Sequence, residues 1–242
     1  MLVPIFHHYP QSPIAEKIRM TFGIMGLEWY SVQIPRIPPK PLLTPLTGGY
    51  RRTPVLQVGA DIFCDSQCIA FQLGKLKSKK VAYDSSNRAL ELILGSFGEN
   101  ILFKLTVRIV LTTSMGVAPE DFIKDRSSLY FEPGWTVEEM QNSLPSVLLQ
   151  LQSAFELINH HLTSHGPYMN GNNPSYADAV IQHCVWFLCG RWDRGDSFIA
   201  PFKALIKHRE LITQMGHGSF IDCAPEEALQ IAKNHISTAP NG

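Results

Sequence analysis

Four short strand-like runs and two helix starts are packed into the first third of this chain, and their order limits what it can fold into. Val3 to Tyr9 reads as an apolar strand, and Ser12-Pro13 opens a helix running to about Met25. Glu28 to Ile34 is a second strand candidate. Thr53-Pro54-Val55-Leu56 leads into a third, Ile62-Phe63-Cys64 makes a fourth, and Asp65-Ser66 starts another helix. Short β-rich runs alternating with helical ones mark an α/β unit. Between the second and third strands, Ile34 to Leu46 contains Pro35, Pro38, Pro39, Pro41 and Pro45. That density excludes a regular helix or a central strand and predicts an irregular surface loop.

Near residue 80 the chain changes character. Strand signals stop, and helical periodicity predicts helices over Ser86 to about Met115, Thr136 to Ser164, Tyr176 to about Arg191, Pro201 to Met215 and Pro225 to Asn234. Gly116-Val117-Ala118-Pro119 and Glu132-Pro133-Gly134 punctuate the first two. Lys75 to Lys80 suits a linker and equally suits a solvated helix end, where cations are favoured. The expected organisation is an α/β domain over 1–78 and an all-α domain over 86–236.

Composition serves mainly to exclude. Lys plus Arg and Asp plus Glu both number 21, so no bulk field draws the chain to nucleic acid or an anionic membrane. An apolar share of 45% over 242 residues allows a substantial core. No apolar run approaches the ~20 residues that span a bilayer; the longest, Ile101 to Thr113, is broken by Lys104 and Arg108. Met1 to Phe6 lacks the basic start of a signal peptide. The five cysteines (Cys64, Cys68, Cys184, Cys189 and Cys223) have no metal-like pairing, so reduced thiols in a cytoplasmic protein are the simplest reading. His160, His161 and His165 lack Cys or carboxylate partners at ligand spacing, so no metal site is expected. His7 and His8 read as satisfied strand residues, and Cys64 and Cys68 as core residues.

Several residues sit where chemistry is possible. Ser12 precedes Pro13, which fits an N-cap followed by proline at the first helical position. A helix N-terminus also favours an anion, so capping and anion binding are compatible there. Tyr9, at the end of the first strand, offers a rival hydroxyl. Thr53-Pro54 breaks the rule that keeps proline out of central strands. Asp65-Ser66 forms a second helix start; Arg51 and Arg52 precede Thr53, and Lys40 lies in the proline-rich loop. Farther on, Ser175-Tyr176-Ala177-Asp178 is a capping box before an apolar helix.

The strand and helix order, Ser12, Pro54 and Asp65-Ser66 together resemble the N-terminal, glutathione-binding domain of the glutathione transferases. That resemblance implies a thioredoxin-like α/β domain followed by an all-α domain, and the Ser175–Asp178 box matches the start of the family's central α-domain helix, with a folding role. It implies that Ser12, in Ser12-Pro13-Ile14-Ala15-Glu16-Lys17-Ile18-Arg19, activates the glutathione thiol, with Tyr9 as the alternative used by tyrosine-type members. A cis Pro54 would present the Val55 backbone to the cysteinyl part. Ser66 would take the γ-glutamyl carboxylate and Asp65 its amino group, Asp standing where Glu is commoner. Arg51 or Arg52, with Thr53 beside them, would serve the glycyl carboxylate, with Lys40 a weaker candidate. Phe103, Arg108 and Trp186 would line the electrophile pocket. The implied protein is a cytoplasmic homodimer in detoxification, with glutathione as co-substrate, a small apolar electrophile, no metal, no nucleic acid and no membrane.

A free thiol ionises near ~8.5, and one hydrogen bond to the thiolate contributes roughly 1.5–3 kcal/mol. One hydroxyl therefore lowers the pKa by about one to two units. Serine forms no mixed disulfide, which points to addition, substitution or isomerisation rather than reduction. Two alternatives stay open: a non-catalytic relative that binds ligands or partners, and a specialised glutathione-dependent isomerase, dehalogenase or ether-cleaving enzyme.

Overall fold

The computed structural model describes residues 2–76 and 88–238. Its contacts divide the chain into two units, Met1–Arg88 with Met215–Gly242, and Ala89–Gln214. The first unit begins with β1 (Ile5–His8), α1 (Pro13–Met25), β2 (Glu28–Gln33), α2 (Thr44–Thr47), β3 (Val55–Val58), β4 (Asp61–Cys64) and α3 (Ser66–Leu76). Helix α1 starts because Ser12 Oγ accepts the Ala15 N–H at 3.1 Å and Pro13 needs no donor there. It stops at Gly26, whose φ of 58° is left-handed. β1 is buried throughout and runs parallel to β2 and antiparallel to β3. Phe6, Phe22 and Trp29 pack edge-to-face and stacked, with Phe22 and Trp29 centroids 4.9 Å apart.

The proline-rich segment departs from its expected form. Its end winds into the short α2, since Pro45 falls in the first turn, where a missing N–H costs nothing. Leu43 and Lys40 are buried, so the segment is not wholly a surface loop. Lys75 and Leu76 belong to the last turn of α3, while residues 77–80 of the expected linker and the 78 and 86 limits fall outside the described residues.

The second unit is helical: α4 (Arg88–Phe97), a π-helical turn (Gly98–Leu102), α5 (Phe103–Ser114), α6 (Glu120–Tyr130), α7 (Val137–His165), α8 (Tyr176–Arg191), α9 (Gly195–Ile199) and α10 (Lys203–Met215). The single helix expected up to Met115 is thus interrupted. Gly98 marks the place, since a Cβ there would lie 2.1 Å from Val180 Cγ1 of α8. Helix α8 is buried along nearly its whole length, as its apolar run implies.

The chain then returns to the first unit through β5 (Ser219–Asp222) and α11 (Pro225–Asn234). This corrects the expectation that strands end near residue 80. β5 pairs parallel to β2, with Trp29 opposite Phe220, giving the sheet order β4-β3-β1-β2-β5. The approach is close: a Cβ on Gly23 would lie 2.1 Å from Gly216 O, and one on Gly218 2.3 Å from Leu27 O. Trp29 Nε1 donates to His217 O at 2.7 Å. Ala228 of α11 packs with Ile5, Tyr9, Val32 and Val55 and accepts from Gln57 Nε2 at 2.8 Å. Ser237 Oγ and the Thr238 N–H then donate to Asp61 of β4, at 2.6 and 3.0 Å. Residues 216–238 therefore run from one edge of the sheet to the other.

Candidate functional site

Strand register brings the predicted loops together. Val55 of β3 lies opposite His7 of β1 on one side and Cys64 of β4 on the other. Ser12 follows β1, Thr53-Pro54 precedes β3 and Asp65 follows β4, so all three loops leave the same end of the sheet. β2, parallel to β1, delivers the proline-rich segment to that end too. Lys40 Nζ donates to Thr53 Oγ1 at 2.7 Å and to Arg51 O at 3.2 Å, joining that segment to the Thr53-Pro54 corner. The Thr53–Pro54 peptide is cis. α1 and α3 both begin at this end, so their N-terminal N–H groups favour an anion there.

Ser12 is 2% exposed, and its Oγ uses a lone pair to cap α1. The hydroxyl hydrogen is not consumed by that bond and remains a donor. Tyr9 is packed into the cluster of Ile5, Val32, Leu43 and Val55. The residues between them are clamped by Arg19, a contact whose only trace in the sequence is its place two turns after Ser12. Its Nη2 donates to Pro10 O at 2.8 Å and its Nη1 to Tyr9 O at 3.3 Å and His8 Nδ1 at 2.9 Å. Glu16 binds Arg19 Nε at 2.8 Å and His217 Nε2 at 2.9 Å.

Because arginine only donates, His8 Nδ1 accepts and its Nε2–H donates to Ser31 Oγ at 3.1 Å. Burial, with the nearby Arg19 charge, pushes the His8 pKa down to about 3. Burial lowers His7 to about 4, and its Nε2 meets Gln57 Oε1 at 2.9 Å. Both histidines are neutral, satisfied strand residues.

Asp65 has a φ of 73°, a left-handed backbone rare for a residue with a side chain. Its Oδ1 accepts the Gln67 N–H at 2.9 Å and the Cys68 N–H at 3.3 Å, so Asp65 caps α3 while Ser66, buried, takes the first helical position. Strained backbone of this kind concentrates at ligand clamps. Tyr50, which no sequence pattern singled out, belongs to this corner: burial raises its phenol pKa, the Asp65 and Cys64 charges add to the rise, and Arg52 opposes it. Arg51 and Arg52 are exposed. Cys64 is half-buried and Cys68 exposed, so the second is not a core residue; burial raises both thiol pKa values, and none of the five cysteines is in a disulfide among the described residues.

In the second unit, Phe103 is a core ring against Tyr130, His183 and Phe187. Trp186 is half-buried beneath the Arg191 guanidinium, 5.5 Å from its ring centre. Arg108 is half-buried, and its Nε has no hydrogen-bond partner among the described residues. The Ser175 N–H donates to Asp178 Oδ2 at 2.7 Å, the return half of the box. Asp178 also accepts the Met169 N–H and lies 2.7 Å from His208 Nε2, and Glu91 accepts from Asn170 Nδ2 and the Ala177 N–H. The box is thus part of a buried network. Among the described residues, no group of three or more His, Cys, Asp or Glu is placed to hold a metal, and no helix is long and apolar enough to cross a membrane.

The family model of the glutathione S-transferase N-terminal domain matches residues 6–80. A GST-like protein from Pseudomonas syringae is 32% identical, with a TM-score of 0.78 over 99% of this chain and 77% of that one. The chain belongs to the glutathione S-transferase family. Two more distant structures share the fold. One is a glutathione S-transferase of Ceriporiopsis subvermispora in complex with glutathione, 18% identical, TM-score 0.70, covering 88% of this chain and 97% of that one. The other is a Tau class glutathione S-transferase from mango, 14% identical, TM-score 0.62, covering 96% and 97%. No curated protein matches the chain.

Proposed function

We propose that the protein is a serine-type glutathione transferase, in which Ser12 donates a hydrogen bond to the glutathione thiolate and thereby prepares it to attack a small apolar electrophile. The observation carrying this reading is the Ser12 hydroxyl, which caps α1 through its oxygen and keeps its hydrogen at the end of the sheet where the other loops gather. The packing of Tyr9 in the core cluster favours Ser12 over it.

Around Ser12, the Val55 backbone would pair with the cysteinyl part, Ser66 and Asp65 would hold the γ-glutamyl end, and Arg52, Thr53 and Lys40 would serve the glycyl carboxylate. Phe103, Arg108 and Trp186 are the second-unit residues assigned to the electrophile. The test is the thiolate difference absorbance of the glutathione complex as a function of pH. Ser12→Ala should raise the thiol pKa by about one to two units, and Tyr9→Phe should leave it nearly unchanged. The reverse pattern would make Tyr9 the activator, and no thiolate in the parent protein would point to a non-catalytic binder.

A further inference from the structure

We infer that a cavity on the α11 side of the sheet binds a small neutral aromatic molecule carrying one O–H or N–H donor, a phenol being the simplest. The cavity measures about 100 Å³, and every residue around it belongs to the first unit. Its walls are Ile34, Leu42 and Leu43 with Pro35, Pro41 and Pro225. Gln33, Pro35 and Pro41 are exposed at its mouth, while His7, Ile34 and Leu43 are buried at its base. Helix α1 packs the other face of the sheet, where Phe6 meets Phe22. The inference does not depend on Ser12.

His7, 2% exposed, supplies the recognition. Gln57 Nε2 donates to Gly59 O at 3.0 Å and to Ala228 O at 2.8 Å. Both amide hydrogens are thereby used, and Oε1 is the atom that meets His7. The 2.9 Å contact therefore has His7 Nε2–H donating, so as a donor His7 is satisfied. Burial holds its pKa at about 4, which leaves Nδ1 unprotonated. That nitrogen is an acceptor to which no described residue donates. Buried polar atoms are paired almost without exception, so a lone pair beside a cavity calls for a donor from outside the chain.

Water fits this place poorly, because a held water needs roughly two to four polar partners and the walls are aliphatic. Gln33 Nε2 turns to Ser31 Oγ at 3.3 Å, and Lys40 Nζ is held by Thr53 Oγ1 and Arg51 O. The Lys40 ammonium repels a cationic donor, and a carboxylate brings no hydrogen to Nδ1. A neutral donor satisfies both groups. Proline fixes φ, so the three proline walls resist collapse onto the space. An apolar cavity of about 150 Å³ holds benzene. This one is smaller but open on one side, so a six-membered ring seats with an edge towards solvent.

The probes are phenol and benzene, titrated into the full chain and followed by isotope-edited NMR. The Leu43 methyl signals read affinity at this cavity, and the histidine ring nitrogens report the hydrogen bond. Phenol should shift His7 Nδ1 in the direction of an accepted hydrogen bond and bind about two- to tenfold more tightly than benzene. His7→Phe keeps a ring in the wall and removes the acceptor. There benzene should bind as before and phenol should fall below it, since its hydroxyl loses its partner. Leu42→Trp, which adds bulk to the wall and leaves His7 untouched, should weaken both ligands about tenfold or more. Should His7→Phe fail to fold, the parent protein and Leu42→Trp decide the matter. A His7 Nδ1 signal that phenol leaves in place overturns the inference, and the cavity then holds water only. A protonated Nδ1 in the free protein, or phenol binding unchanged in Leu42→Trp, overturns it equally.

Discussion

Each unit buries a glutamate among hydrogen bonds, Glu16 at 4% exposure on α1 and Glu91 at 1% on α4. Burial raises both carboxyl pKa values, and there the likeness ends. At Glu16 burial is the largest influence, yet the His217 hydrogen bond and the Arg19 charge together overturn it and hold the pKa below its ordinary 4.5. At Glu91 burial prevails and carries the pKa up to about 7, opposed only in part by hydrogen bonds from Ser175, Asn170 and Ala177. The Asp178 charge adds to that rise. Dipolar partners alone leave a buried acid close to neutral, whereas a buried cation keeps it ionised. The Glu16 network fastens the loop leading to Ser12, and the Glu91 network fastens α4 to the start of α8.

The largest test of this contrast is Arg19→Ala. It strands the Glu16 charge in the interior, and breaking a buried pair in this way costs about 3–5 kcal/mol. Denaturant unfolding at pH 7 measures the loss, and a change under ~1 kcal/mol would mean that Glu16 does not depend on its cation.

Next in size is the pH response. The folded pKa of Glu91 is raised, so its contribution is complete below about 4.5 and is lost as pH climbs through about 7, at up to ~1.4 kcal/mol per unit. Subtracting the stability profile of Glu91→Gln from that of the parent protein should isolate this falling limb. Glu16 has the opposite sign: its depressed pKa gives stability complete above 4.5 and lost as pH drops below it. Glu16→Gln should remove that acid limb. Two difference curves sloping the same way would dissolve the contrast.

The smallest effect expected is that of Ser175→Ala. Ser175 Oγ accepts from Asn170 Nδ2 at 3.1 Å and donates to Asp178 Oδ2 at 3.1 Å, so its loss loosens the second network while Asp178 keeps the Met169 and Ser175 N–H donors. A cost of roughly 0.5–2 kcal/mol is expected in thermal melting, with glutathione affinity of the folded fraction retained. Lost affinity with unchanged melting would move this segment into the binding site.

What the sequence made legible was local. Ser12-Pro13, Asp65-Ser66 and Ser175 to Asp178 are signals within a single turn, and each begins a helix as read. The sheet end where the loops meet followed from the order of those elements. The Glu16–His217 contact spans 201 residues and the Glu91–Ala177 contact 86, and no periodicity encodes such pairings. β5 escaped because all four of its residues are exposed, leaving no alternation to detect. Helix α6 escaped because it lies between two glycine- and proline-rich stretches and buries little beyond Ser127.

The strand that flanks β2 also has a consequence in time. Trp29 and the His217 carbonyl it binds are 188 residues apart, and a ribosome delivers them in that order. At ~5–20 residues per second the interval is roughly 10–40 s. Throughout it, the outer edge of β2 offers unpaired N–H and C=O groups to any neighbouring chain. A nascent copy on a crowded polysome is therefore most vulnerable to mispairing while the whole helical unit is being made. The arrival of Ser219–Asp222 ends that exposure, replacing it with an edge of only four residues.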